Sequence, residues 1–282
     1  MLSPNMPGNF NDHFSARSAD YARFRPTYPP ELIKWLASVA PSRGLALDCG
    51  CGTGQLSTLL AQAFDRVVAI DASPAQIANA TRHDGVQYRV GPCEQSGLDD
   101  ASVDLVAAAQ AAHWFDLKAF FGEVRRVLRP HGCIALITYG ITETTGEPGR
   151  LLANFYSSVV GPYWPPERRH VETGYRLLPF PFDEVTAPEM TMMARWTVDE
   201  LLGYVDTWSA VRQAEAVLGR SPYARFVDQM RTAWGDPRGQ HEIRWPLSMR
   251  VGLNGPADPS KRPMPRGSPI ADYPAPTTQH RA

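Results

Sequence analysis

The chain has 282 residues, 43% of them hydrophobic and 20% charged, with a formal net charge of −1. That balance suits a globular protein of one large domain, or one domain with an addition. It offers no electrostatic basis for holding nucleic acid or an anionic membrane surface, and neither partner is expected. No apolar run approaches the ~20 residues that span a bilayer. Met1 to Asp20 has no basic cluster ahead of an apolar stretch, so no secretory signal is read there. Cys49, Cys51, Cys93 and Cys133 lie in or beside apolar runs, with no C-x-x-C pair and no histidines at zinc-ligand spacing. The expectation is buried free thiols in a reducing, cytoplasmic compartment and no metal site.

In chain order, Leu32, Ile33, Leu36 and Val39 put one apolar face on a helix over 30–40, with prolines at its start. Leu45 to Cys49 reads as the first strand and Thr53 to Ala63 as the next helix. Val67 to Ile70 is a second strand entering Asp71, and Ser73-Pro74 starts another helix with an N-cap and a proline at its first position. Val86 to Val90 is a third strand. Val103 to Ala109 is a nearly continuous apolar run, as a strand covered on both faces should be. Asp116 caps a helix carrying Leu117, Phe120, Phe121, Val124 and Leu128, which Arg129-Pro130-His131-Gly132 stops before a fifth strand, Cys133 to Thr138. Five strands separated by helices imply a parallel, doubly wound α/β sheet with its ligand at the carboxyl ends of the strands.

After Gly140 the rhythm breaks. Residues 141–181 are rich in aromatics and proline, helical patterns cover Val198 to Val211 and Pro222 to Trp234, and a last strand runs from Ile243 to Val251. The expected organisation is an N-terminal covering segment (1–29), a core (30–140), a helical and aromatic cap with the final sheet elements (141–254), and a disordered proline-rich tail (255–282).

The chemistry concentrates at a few points. Leu45, Ala46 and Leu47 lead into Asp48 and a G-x-G-x-G turn, Gly50, Gly52 and Gly54, followed by an amphipathic helix. Such a strand-to-helix turn exposes backbone N–H groups to a ligand. The dinucleotide fingerprint would need glycine at 55, where this chain has Gln55, which argues against an NAD-type oxidoreductase. Asp71, at the end of the second strand, can accept both hydroxyls of a ribose, or cap the helix at Ser73. Cys93-Glu94 follows the third strand near an expected adenine edge, though Glu94 also reads as a solvated loop acid. Gln110, His113 and Trp114 fall just past the fourth strand, beside the reacting end of a bound nucleoside.

The runs LALDCGCGTGQ, VVAIDAS, SVDLVAAAQAAHWFD and VRRVLRPHGCIAL resemble the class I S-adenosylmethionine-dependent methyltransferases. Within them the chain is similar to the trans-aconitate methyltransferase-like small-molecule group, built on the methyltransferase type 11 domain. The stretches Asp20 to Pro29 and Trp208 to Val211 resemble that group too, so the likeness covers roughly residues 10 to 252. It implies a Rossmann-like seven-stranded sheet, with S-adenosyl-L-methionine as cofactor. Asp48 and the backbone from Gly50 to Gln55 would hold the methionine part, Asp71 and Ala72 the ribose, and Cys93 and Glu94 the adenine. Gln110 would lie near the methyl group, and Tyr21 and Arg25 would close the N-terminal segment over the cofactor. Relatives commonly have alanine where this chain has Cys93, a barely larger side chain.

Methyl transfer from a sulfonium is an in-line displacement, in which alignment can supply about 7–11 kcal/mol. Tyr21, Trp114 and Tyr139 are candidates to face the cationic donor, or are core aromatics. His113 could remove a proton from a phenol or carbon acid, or serve as a polar wall. A carboxylate acceptor needs no base, only a cation from among Arg25, Arg168, Arg169 and Arg195, although Glu167 to His170 also reads as a solvated loop. Tyr28, Trp114, Tyr139, Trp164 and Trp208, with Tyr163 and Tyr204, could enclose the acceptor or pack the cap onto the sheet. The leading expectation is methylation of a small molecule on oxygen, a small carboxylic acid or a hydroxyl. The alternatives are C-methylation of a quinone-like or aromatic substrate, and cofactor binding without transfer.

Overall fold

The computed structural model describes residues 26–255. Strand β1 (Leu45–Cys49) is buried along its whole length. It lies between β2 (Arg66–Asp71) and β4 (Val103–Ala109), both parallel to it, with Asp48 opposite Ala69 on one side and Ala107 on the other. β3 (Val86–Val90) pairs with β2, and β5 (Leu128–Tyr139) with β4, again in parallel. β8 (His241–Leu253) runs antiparallel to β5. The far edge of β8 carries β6 (Asp183–Val185) at 251–253 and β7 (Met190–Trp196) at 241–247. These two short strands follow one another along a single edge, so eight strands fill the seven sheet positions expected. Strand order reverses at β1, which gathers the carboxyl ends of β1, β2 and β4 at one rim.

Helices cover both faces. α1 (Pro30–Val39) starts with proline at its first position and buries Leu32, Ile33, Leu36 and Ala37. α2 (Gln55–Leu60) and α3 (Pro74–Ala78) follow the first two strands, with Ser73 accepting from Gln76 N at the start of α3. α4 (Leu117–Val127) is capped by Asp116, which accepts from Lys118 N and Ala119 N, and buries Phe120, Phe121, Val124 and Val127 on the other face. α5 (Gly146–Asn154), α6 (Arg168–Glu172), α7 (Val198–Asp206), α8 (Ser209–Leu218) and α9 (Ser221–Trp234) make up the later part. Leu152, Phe155, Tyr204, Trp208 and Phe226 share one hydrophobic cluster with α1, β5 and β8, so the cap is continuous with the main core.

Several boundaries differ from expectation. The helix after the glycine turn spans Gln55–Leu60; its start is delayed because Gly52 and Gly54 hold positive φ, and residues 61–63 form turns. No helix separates β3 from β4 among the described residues, so the strict alternation fails over 91–102. The pattern from Val198 to Val211 is two helices. Thr207 Oγ1 donates to the Tyr204 carbonyl (2.6 Å), a local bond that competes with helix continuation, and Trp208 is extended with ψ 133°. β5 begins at Leu128, five residues early, with a bulge before Cys133 in which His131 takes φ +63°. Tyr21, Arg25, most of the 1–29 segment and residues 256–282 lie outside the described residues. No described helix is long and apolar enough to cross a membrane.

Candidate functional site

The glycine turn is fixed to the end of β2, since Gly50 N and Cys51 N both donate to the Ile70 carbonyl (2.8 and 3.0 Å). Gly50, Gly52 and Gly54 have φ of +68°, +55° and +84°. A Cβ on Gly50 would overlap Cβ of Ala111, so the turn packs directly on the segment after β4. A Cβ on Gly52 would meet nothing nearer than Gln76 Oε1 at 3.9 Å and would occupy open space beside the turn. Gly50 therefore answers to packing, and Gly52 to its backbone angle and to the room beside it.

Asp48, on the strand leading into the turn, is buried, with 1% exposure. Its Oδ2 accepts from the Ser57 hydroxyl (2.6 Å), while Oδ1 has no hydrogen-bond partner among the described residues. Burial, opposed by Ser57 and reinforced by the nearby Asp71 charge, raises its pKa from 3.8 to about 7. Gln76 Oε1, beside the turn, is a second buried acceptor with no partner among the described residues. Two unsatisfied acceptors with a carboxylate between ionisation states suit a ligand that brings N–H donors and positive charge.

Asp71 is oriented by two backbone donors, Gly52 N to Oδ2 and Ser73 N to Oδ1, both 2.8 Å. A carboxylate offers about four acceptor positions, so both readings of Asp71, ribose partner and cap, suit one orientation. Ala72 follows, half-buried. Cys93 is buried with Sγ 3.9 Å from the Ile70 carbonyl, at the rim that carries the glycine turn. Glu94 is half-buried and accepts from Asp116 N (3.0 Å), which links the loop after β3 to the start of α4. All four cysteines are free and buried, and burial raises the thiol pKa of Cys49, Cys51 and Cys133.

Gln110, just past β4, takes φ +56°, unusual for a residue with a side chain and a mark of a constrained position. Its Nε2 donates to the Tyr139 carbonyl (3.2 Å) and its Oε1 accepts from Thr138 Oγ1 (3.0 Å), so the end of β5 fixes the amide. His113 sits in the 3₁₀ turn Ala112–Trp114 with Nδ1 2.8 Å from the Tyr175 hydroxyl. Burial, then the Arg168 and His170 charges, lowers its pKa from 6.5 to about 3. It is thus a neutral imidazole at physiological pH and a weak base. Tyr175 is fully buried with φ +61°, and its phenol is pushed up by burial. Trp114 stands 40% exposed beside the His113 ring.

The aromatics divide. Tyr28, Tyr139 and Trp208 are core residues, with Tyr28 edge-on to Tyr139 at 6.5 Å. Trp164 is half-buried and forms a triangle of rings with Tyr156 and Trp208, with centroids 5.1–5.7 Å apart. Arg168 lies over Trp164, whereas Arg169 and Arg195 are exposed. The expected solvated loop from Glu167 to His170 is instead the short helix α6, packed on the turn that carries His113. Sequence reading missed Ser57, Gln76, Tyr175 and Tyr156. Of these only Ser57 left a usable signal, one helical turn inside α2 and facing back toward β1. A cleft of about 230 Å³ lined by Asp65, Arg66, Gln87 and Arg89 opens at the opposite end of the sheet and holds none of these groups.

A family model described as a methyltransferase domain matches residues 47–136. A protein of Dictyostelium discoideum, named as a candidate methyltransferase, is 34% identical over 207 residues, 72% of this chain and 79% of that protein. An uncharacterized methyltransferase of Mycobacterium bovis is 43% identical over 126 residues, 44% of this chain and about half (51%) of its own length. Among solved structures, a candidate type II methyltransferase from Anaeromyxobacter dehalogenans is 48% identical with a TM-score of 0.79, over 83% of this chain and 99% of that one.

Proposed function

Because the chain belongs to the class I S-adenosylmethionine-dependent methyltransferases, we propose that it methylates an oxygen of a small molecule, a small acid or a hydroxyl compound. In this reading it falls within the group similar to trans-aconitate methyltransferases and works in the cytoplasm. Residues 30–140 form the cofactor-binding core and 141–254 the acceptor side.

The observation that carries the cofactor assignment is Asp48 Oδ1, a buried acceptor with no partner among the described residues, at the end of the strand that leads into the glycine turn. When bound, S-adenosylmethionine supplies a methyl group already activated on a sulfonium sulfur, together with an ammonium. Asp48 would give up its proton and accept from that ammonium, and the backbone from Gly50 to Gln55 would line the amino-acid part. Asp71 and Ala72 would hold the ribose hydroxyls, and Cys93 and Glu94 would flank the adenine. Gln110, its amide fixed by Thr138 and Tyr139, would keep the wall beside the methyl rigid. Tyr21 and Arg25 are proposed to cover the cofactor, and Tyr28, Trp114, Tyr139, Trp164 and Trp208 to border the acceptor.

His113 bears on the choice of nucleophile. A general base works best with a pKa near the operating pH, and a value of about 3 leaves His113 a poor proton acceptor. This favours an acceptor that arrives ionised, and weighs against a carbon acid. His113 then acts as a neutral hydrogen-bonding wall, oriented by Tyr175.

Calorimetric titration tests the cofactor. S-adenosylhomocysteine should bind and NADH should not, and the reverse would overturn the reading. Mass spectrometry of a panel of small acids, phenols and quinones incubated with labelled donor should then show label in methyl esters or ethers. Label on ring carbon would move the reading to C-methylation, and tight binding without product to a cofactor-binding protein.

A further inference from the structure

Arg168, at the start of α6, carries a positive charge with no carboxylate of the described residues in ion-pair contact. Its Nε donates to the Tyr156 hydroxyl (2.9 Å), which in turn donates to Glu172 Oε1 (2.5 Å). Its guanidinium carbon lies 4.6 Å from the Trp164 ring centre and 5.6 Å from that of Tyr156. Among the described residues, neither terminal nitrogen has a hydrogen-bond partner and no carboxylate comes within ion-pair distance. The outer half of the donor fork is therefore held rigidly by stacking and one hydrogen bond, with nothing to donate to.

A second observation points the same way. Trp164 Nε1 is buried and has no partner among the described residues, although indole N–H groups normally find one when buried. A protein keeps such a donor unsatisfied at a cost, and a ligand acceptor relieves it. Two donors that need an acceptor thus belong to neighbouring side chains, at the rim of a triangle formed by Tyr156, Trp164 and Trp208. Trp208 belongs to the core, while Trp164 is half-buried.

We infer that Arg168 and Trp164 Nε1 bind the carboxylate of the methyl acceptor, with the ring triangle taking the hydrocarbon part of the same molecule. A guanidinium fork matches a planar carboxylate with two parallel hydrogen bonds. One cation beside one neutral donor, with Glu172 a single hydroxyl away, matches a monoanion rather than a phosphate dianion. The inference rests on the proposed methyltransferase function only in taking this ligand to be the acceptor. The packing of α6 on the His113 turn puts the site on the β4 side of the molecule.

The test is calorimetry on the full chain saturated with S-adenosylhomocysteine, using cinnamate, cinnamamide and phenyl phosphate as probes. Cinnamate should bind at least tenfold more tightly than either of the other two. Arg168→Gln should raise the cinnamate dissociation constant at least tenfold and leave that of S-adenosylhomocysteine unchanged, which also reports that the variant is folded. Arg168→Lys, which keeps the charge and loses the fork, should fall between, and Trp164→Phe should weaken cinnamate several-fold. Equal binding of acid and amide, tighter binding of phenyl phosphate, no binding of cinnamate, or indifference to Arg168→Gln would each overturn the inference. If S-adenosylhomocysteine itself fails to bind, the methyltransferase reading fails, and the same titrations on the protein alone still decide the role of Arg168.

Discussion

Asp48→Asn should make the protein more stable above neutrality and a poorer binder of its cofactor. The carboxylate is buried with one oxygen unsatisfied, and its pKa rises from 3.8 unfolded to about 7 folded. At 1.36 kcal/mol per pKa unit, keeping it ionised in the fold costs roughly 4 kcal/mol. The sign follows from proton counting. Between about pH 4 and 7 the folded state keeps a proton that the unfolded state has lost, so stability falls as pH rises, and above pH 7 the full cost applies. Asparagine removes the charge and keeps the shape and the Ser57 bond. His113 pulls the other way, because its folded pKa of about 3 lies below 6.5 and its contribution grows as pH rises through that window. The informative quantity is therefore the variant minus the wild type. In urea unfolding at about pH 5 and pH 8, that difference should shift by about 3 kcal/mol in favour of the variant at the higher pH. S-adenosylhomocysteine affinity should drop at least tenfold in the variant, and in the wild type should weaken as pH falls below 7. Parallel stability profiles for the two proteins would refute the burial argument, and unchanged affinity would refute the ammonium contact.

The glycines separate packing from ligand space. Gly50→Ala should destabilise by roughly 2–5 kcal/mol in thermal unfolding, because it combines a positive φ with an overlap at Ala111. Gly52→Ala should cost only the backbone term of about 1–2 kcal/mol, yet weaken S-adenosylhomocysteine by calorimetry, and equal effects at the two positions would contradict the geometry. Asp71→Ala should weaken the same ligand by about 1–3 kcal/mol, the scale of a hydrogen bond to a charged group. In an NMR pH titration, the His113 ring should show no midpoint between about pH 5.5 and 7.5, and one near 6.5 would reject its burial as a neutral group.

Which of these features could be read from the amino acids depends on how far apart the partners lie. The sheet was legible because apolar runs such as Leu45–Cys49 and Val103–Ala109 encode burial locally, and Asp116 encodes its own helix start. The glycine turn was legible because positive φ is a property of single residues. Boundaries failed where side chains act on the backbone in ways that periodicity ignores, as when Thr207 bonds to the Tyr204 carbonyl and splits one apolar pattern into two helices. The state of His113 was invisible for another reason. Its hydroxyl partner, Tyr175, lies 62 residues away and reaches it from a left-handed turn, and the charge that helps hold it neutral sits on Arg168.

The same distance effect hid the helix at Arg168–Glu172. Glu167-Arg168-Arg169-His170 has the composition of a solvated loop, and two of its cations alone would support that. Only folding distinguishes them, by stacking Arg168 on Trp164 and tying it to Tyr156, twelve residues earlier, while Arg169 stays exposed. Charge written in sequence has no direction. The glycine turn, by contrast, is readable from a few adjacent residues, because a single stretch of backbone builds it. The proposed acceptor half would draw on Arg168 of α6, Tyr156 and Trp164 ahead of it, and Trp208 ahead of α8, and its specificity would exist only in their mutual geometry.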